Sequence, residues 1–197
     1  HSLRSIDELR KQGLIGKRQG VFPILDVVLS GPRREERDRF VQLAFADTDR
    51  RVGEDKPVAP SFLLACMLWH DVLVAWNRLK AQGEAPFPAL QQAVDSVFDA
   101  RIGDISGRGK LAADMREIWL MQPRFDRRTA SSAQALAGQP RFRAGYDFLR
   151  LRSDVGEVPS ELADWWEDYH LGDDDEREAL LEAVRRQPVY ACQHKKN

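Results

Sequence analysis

The chain of 197 residues reads as an all-α protein, an irregular multi-helix bundle with two helical subdomains. Three observations carry that reading. Apolar residues recur at three-to-four spacing, prolines fall where helices would begin, and β-branched runs of period two are nearly absent. A hydrophobic content of 43% beside 31% charged residues fits a globular, soluble chain with one large or two small cores.

Each element follows from local signals. "SIDELRKQGL" has Ser5 as cap, Glu8 three residues later, and Gly13 as its close. "VFPILDVVLSG" reads as a short apolar helix ending near Gly31. "PRREERDRFVQLAFADTDRR" opens with Pro32 and would bury Phe40, Val41, Leu43, Ala44 and Phe45. The stretch Ala59 to Gly83 places Leu64, Met67, Leu68, Val72 and Leu79 at helical spacing, with Trp69 and Trp76 one heptad apart. Apolar positions nearly encircle it, so it is expected to be the central core helix.

"PALQQAVDSVFDARIG" and "GKLAADMREIWLMQPRF" follow as amphipathic helices, then a Ser/Ala-rich stretch at 129–137. Further helices are expected from Pro140 and from Pro159. The last, "DDDEREALLEAVRRQ", sets acids at its start and arginines at its end, as the helix dipole favours.

No apolar run approaches the ~20 residues of a membrane helix. Cys66, within "FLLACMLW", reads as a buried thiol, and Cys192 is too isolated for a zinc site. A cytoplasmic setting is the expectation.

The net charge of −1 hides a segregation. Residues 1–100 carry 14 basic and 14 acidic groups; residues 101–152 carry 11 basic and 5 acidic; residues 153–187 carry 3 basic and 12 acidic. The middle block suits a polyanion, and the block beside it does not.

Chemistry-bearing motifs are sparse. His70-Asp71 is the pair that opens a metal site in HD hydrolases, yet the other histidines are only His1, His170 and His194, so a core-helix histidine is expected. Asp47-Thr48-Asp49 would hold Mg²⁺ only from one face of a strand; at the end of a helical segment it is expected to cap or turn. Asp173, Asp174 and Asp175 read as a helix N-terminus. There is no GxxxxGK[ST] loop, GxSxG elbow, HExxH pair or Gly-Ser dipeptide. No catalytic residue and no metal ligand is assigned.

The basic block holds the candidates. Gly107 and Gly109 flank Arg108, with Lys110 following, at what would be an anion-facing helix start. Arg124, Arg127 and Arg128 come next. In "RFRAGYDFLRLR", Phe142, Tyr146 and Leu149 share one face, while Arg143 and Arg150, seven apart, project together from another flank. The candidates for phosphate contact are Arg101, Arg108, Lys110, Arg116, Arg124, Arg127, Arg128, Arg143 and Arg150, with a solvated face and local pairs to acids such as Asp147 as the alternative reading. Any of them that pairs with the acids of 153–187 would be structural instead.

"FVQLAFADTDRRVGEDKPVAPSFLLACMLW", "KLAADMREIWLMQPRF" and "QPRFRAGYDFLRLRSDVGEVPSELADWWEDY" together resemble the C-terminal half of bacterial poly(A) polymerases. Those are class II nucleotidyltransferases, alongside the CCA-adding enzymes. The likeness runs from about Leu14 to about Tyr169, and beyond it comes an acidic helix and a short "HKKN" end. The resemblance implies untemplated addition of AMP from ATP to RNA 3′ ends, with a head that binds ATP and Mg²⁺. It places Asp47 and Asp49 in the body, so the family's catalytic residues are not carried over. It also implies a division into a neck-like end (1–30), a helical body (31–128), a helical leg (129–187) and a flexible tail (188–197). RNA 3′ ends are the expected partner, with RNA-decay proteins beside them. A CCA-adding relative and a helical protein-docking scaffold are the alternatives.

Overall fold

The structure, a computed structural model, describes residues 35–53, 59–102 and 109–187. Among these there are eight α-helices and no strand, as the sequence predicts. They are α1 (Glu35–Gly53), α2 (Pro60–Ala81), α3 (Pro86–Val97), α4 (Lys110–Met121), α5 (Ala130–Ala137), α6 (Phe142–Asp154), α7 (Ser160–Leu171) and α8 (Asp174–Arg185). A π turn, Phe98–Ile102, extends α3, and a 3₁₀ turn, Gln122–Asp126, extends α4. The expected elements at 5–13 and 21–31, and the tail, lie outside the described residues.

Local chemistry sets the boundaries. Proline occupies the first turn of both α2 and α3, where a missing N–H costs nothing. Gly83, at φ 93°, turns the chain between them in a conformation that suits glycine. Thr129 and Ser132 form a capping box at α5, and Asp173 and Glu176 form one at α8. The helix expected from Pro140 begins two residues later, at Phe142, because residues 138–141 are spent on a turn.

Two hydrophobic cores result. The first is built from α1 to α4 and closed by Phe148 and Leu151 of α6. Phe148 meets Phe40 at 5.4 Å and Trp69 at 5.2 Å, and the Trp119 indole donates to the Ala65 carbonyl at 3.1 Å. The second core gathers Met121, Phe125, Leu136 and the Phe142–Tyr146–Leu149 stripe of α6 against Trp165, Trp166 and Tyr169 of α7. Helix α6 thus serves both cores with different faces.

Two expectations are corrected here. Helix α2 is 22 residues long and, by length and composition, apolar enough to cross a membrane. Its apolar residues pack in the first core instead, including Leu64, Met67, Leu68, Trp69 and Val72. The Asp47-Thr48-Asp49 stretch neither caps nor turns: α1 continues to Gly53. Thr48 donates to the Ala44 carbonyl at 2.8 Å and Asp47 pairs with Arg50 at 2.6 Å, so these side chains are satisfied along the helix.

Candidate nucleic-acid interface

The basic block divides by what each cation touches. Arg116, on α4, pairs with Asp95 of α3 and lies 5.8 Å from the Phe98 ring. Arg143 pairs with Asp147 one turn along α6 at 3.3 Å. Arg150 reaches across to α7, donating to Asp164 and to Glu167, each at 2.9 Å, and to the Tyr146 hydroxyl at 3.0 Å. Burial works against its charge, but the bonds to Tyr146 and Asp164 outweigh that and hold its pKa above the ordinary guanidinium value.

Arg143 and Arg150 do project together, into a cleft of about 470 Å³ between α1, α6 and α7. Arg50, Arg143 and Arg150 there face Asp47, Asp147, Asp154 and Glu167. Four acids against three cations leave no net positive field for a polyanion. Arg150 meets the criterion for a structural residue, since both of its carboxylate partners belong to the acidic block.

The uncommitted cations lie elsewhere. Arg124 and Arg127 sit on and just after the 3₁₀ turn, and neither makes an ion pair among the described residues. Arg128 rests 5.5 Å over Trp165, and burial lowers its pKa while Asp126 raises it. Lys110 is exposed at the first turn of α4. The side chain of Arg101 and the whole of Arg108 lie outside the described residues.

The turn carrying these cations has a firm base. Phe125 is fully buried and meets Trp166 at 5.3 Å, and the Trp166 indole donates to the Phe125 carbonyl at 2.9 Å. Gln122 and Phe125 are buried, Arg127 is exposed, and Arg124 and Arg128 are half-buried beside them. Three further cations escape sequence reasoning. Arg141 pairs with Asp114 at 2.6 Å and Glu117 at 3.0 Å, Arg152 pairs with Glu157 at 3.0 Å, and Arg177 donates to the Tyr169 carbonyl at 2.8 Å. Within the basic block only Arg143–Asp147 is an i,i+4 helix pair; Arg116, Arg141 and Arg150 find their acids on other helices.

His70 and Asp71 lie on α2, both partly exposed. His70 Nε2 is buried with no hydrogen-bond partner among the described residues, beside a cavity of about 330 Å³ that also touches Trp69 and Glu157. Among the described residues no three His, Cys, Asp or Glu side chains are grouped so as to hold a metal ion.

Residues 82–197 match the family described as the polymerase A arginine-rich C-terminus. The chain belongs to that family. The chain is 29% identical to poly(A) polymerase I of Haemophilus influenzae over 180 residues, which is 90% of the chain and 39% of that protein. It is 28% identical to poly(A) polymerase I of Salmonella typhi over 87% of the chain and 37% of that protein. For poly(A) polymerase I of Escherichia coli O6:H1 the identity is 26% over 86% of the chain and 37% of that protein. The chain thus spans under two-fifths of its relatives' length. The likeness to bacterial poly(A) polymerases is borne out, and the family match continues past Tyr169 through α8.

Proposed function

We propose that this chain is the RNA-holding helical part of a bacterial poly(A) polymerase, which extends RNA 3′ ends with AMP from ATP. The single observation that carries this reading is the turn at 122–128, where half-buried Arg124 and exposed Arg127 make no ion pair among the described residues and stand on a base anchored by Phe125. Guanidinium groups held this way suit the phosphate oxygens of a single strand, and Arg128 over Trp165 adds a flat cation at the same place. Lys110 stands one α4 length away, about 18 Å by helical rise, and extends the same track.

In the whole enzyme an RNA 3′-hydroxyl attacks the α-phosphate of ATP and pyrophosphate leaves. ATP and Mg²⁺ belong to a head outside this chain, and the residues here supply position only. The setting is cytoplasmic, and RNA-decay proteins are the expected neighbours.

The test is kinetic and uses the full-length enzyme. Arg124→Glu with Arg127→Glu raises the KM for oligo(A) roughly tenfold, with kcat and the KM for ATP unchanged. An unchanged KM for RNA would contradict the reading.

A further inference from the structure

Helix α8 is thinly attached to the rest of the molecule: Leu181 is its one buried residue. Between α8 and α7 runs an open groove of about 410 Å³. The two helices are joined at Gly172, where an added Cβ would stand 3.1 Å from the Cβ of Glu176 on α8. Leu171 stands at its edge with 72% of its surface exposed, the most exposed large apolar side chain among the described residues. Ala179 and Ala183, one turn apart and both exposed, line the α8 wall, with Leu180 between them. A lone exposed leucine means little. An exposed leucine continuous with a small-residue wall is a surface shaped for another helix, since alanines let helix axes approach closely.

Charge selects the occupant. Asp168 and Glu176 rim the groove, within a block holding 12 acidic and 3 basic residues. None of those three cations reaches it. Arg177 is turned onto the Tyr169 and His170 carbonyls, while Arg185 and Arg186 pair with Glu182. A second copy of this chain would bring the same acids against themselves, and RNA would be repelled outright. We propose that the α7–α8 groove docks a basic amphipathic helix of another protein, with an apolar ridge on Leu171, Ala179 and Ala183 and lysines or arginines over Asp168 and Glu176. The groove shares no residue with the 122–126 turn, so this proposal stands or falls apart from RNA binding.

The probe is a pair of synthetic Lys/Leu/Ala peptides of about 18 residues, five helical turns. They share one composition; one sets its leucines at helical spacing and the other is scrambled. Binding is read by fluorescence anisotropy at about 0.15 M salt, where long-range attraction is largely screened. The patterned peptide is expected to bind roughly tenfold tighter than the scrambled one. Leu171→Asp and, separately, Ala183→Gln should abolish that difference while far-ultraviolet circular dichroism stays unchanged. Equal binding of both peptides would reduce the effect to bulk charge and overturn the proposal, as would no binding at all. A dimer in sedimentation that Leu171→Asp dissolves would give the groove to a second copy and overturn it too.

Discussion

Glu157 accepts from Arg152 Nε at 3.0 Å and from the Trp69 indole N–H at 2.9 Å, so one carboxylate ties α2 of the first core to α6. Arg152 lies 5.1 Å over the Trp69 ring, and its second nitrogen donates to Gln122 Oε1 at 3.1 Å. Gln122 in turn donates to the Ile118 carbonyl at 2.8 Å and the Gly145 carbonyl at 3.3 Å. This chain of bonds begins at Trp69 and ends on the turn that carries Arg124 and Arg127. Its physical role is to set the angle of that turn against the first core.

Arg152 is only 8% exposed, so removing its guanidinium leaves the buried Gln122 oxygen without its donor and takes one of two donors from the solvent-reached Glu157 carboxylate. Arg152→Met is expected to cost about 2 kcal/mol, read as a fall in the urea midpoint followed by tryptophan fluorescence. Glu157→Gln keeps acceptors for both donors and should cost about 1 kcal/mol. Equal costs would mean the carboxylate charge, rather than its geometry, holds the network.

Gly145 of α6 faces Met121 at the end of α4. A Cβ there would run into the Sδ of buried Met121. Gly145→Ala should therefore destabilise by about 1 kcal/mol, overpacking outweighing the helix propensity that alanine gains. Pairing it with Met121→Ala relieves the collision, so the two costs should be less than additive in a double-mutant cycle.

Tyr146 titrates late. Burial raises its pKa above 10.0, and Glu167 adds to that, while the bond and charge of Arg150 oppose both. A raised folded-state pKa means the unfolded chain loses its proton first, so this contribution is intact below about pH 10 and is lost as pH rises beyond it. Near-ultraviolet tyrosinate absorbance should show a late step in the native protein that Tyr146→Phe removes. A late step that persists in the variant would assign it to another tyrosine.

Much of this was legible in the sequence. The three-to-four spacing of Phe142, Tyr146 and Leu149 marked a packed stripe, and that stripe lies in the second core. What spacing left open was the other face: Phe148 and Leu151 of the same helix belong to the first core. Such sharing arises from how helices cross, which no single helix encodes. The fate of the arginines was hidden for the same reason. Arg150 finds Asp164 and Glu167 on the next helix, 14 and 17 residues on, while Arg124 makes no ion pair among the described residues. Charge counted along the chain identified the block but not its accessible members.

Arg150→Glu separates structure from binding. It sets a third acid against Asp164 and Glu167, which are well exposed, so the expected loss is modest, about 1–2 kcal/mol in chemical denaturation. Oligo(A) affinity should move by less than about twofold, because this guanidinium is already satisfied within the protein. A large loss of affinity with stability intact would return the RNA track to α6.

The most direct test of the central claim is anisotropy of labelled oligo(A) across a salt series, with this chain and with its Arg124→Glu, Arg127→Glu variant. Each phosphate contact contributes about −0.7 to the slope of log K against log salt for a single strand. The account predicts a clearly negative slope that flattens by about 1.4 in the double variant and is unchanged by Arg143→Glu. No binding at low salt, or a slope that the double variant leaves as steep, would contradict it.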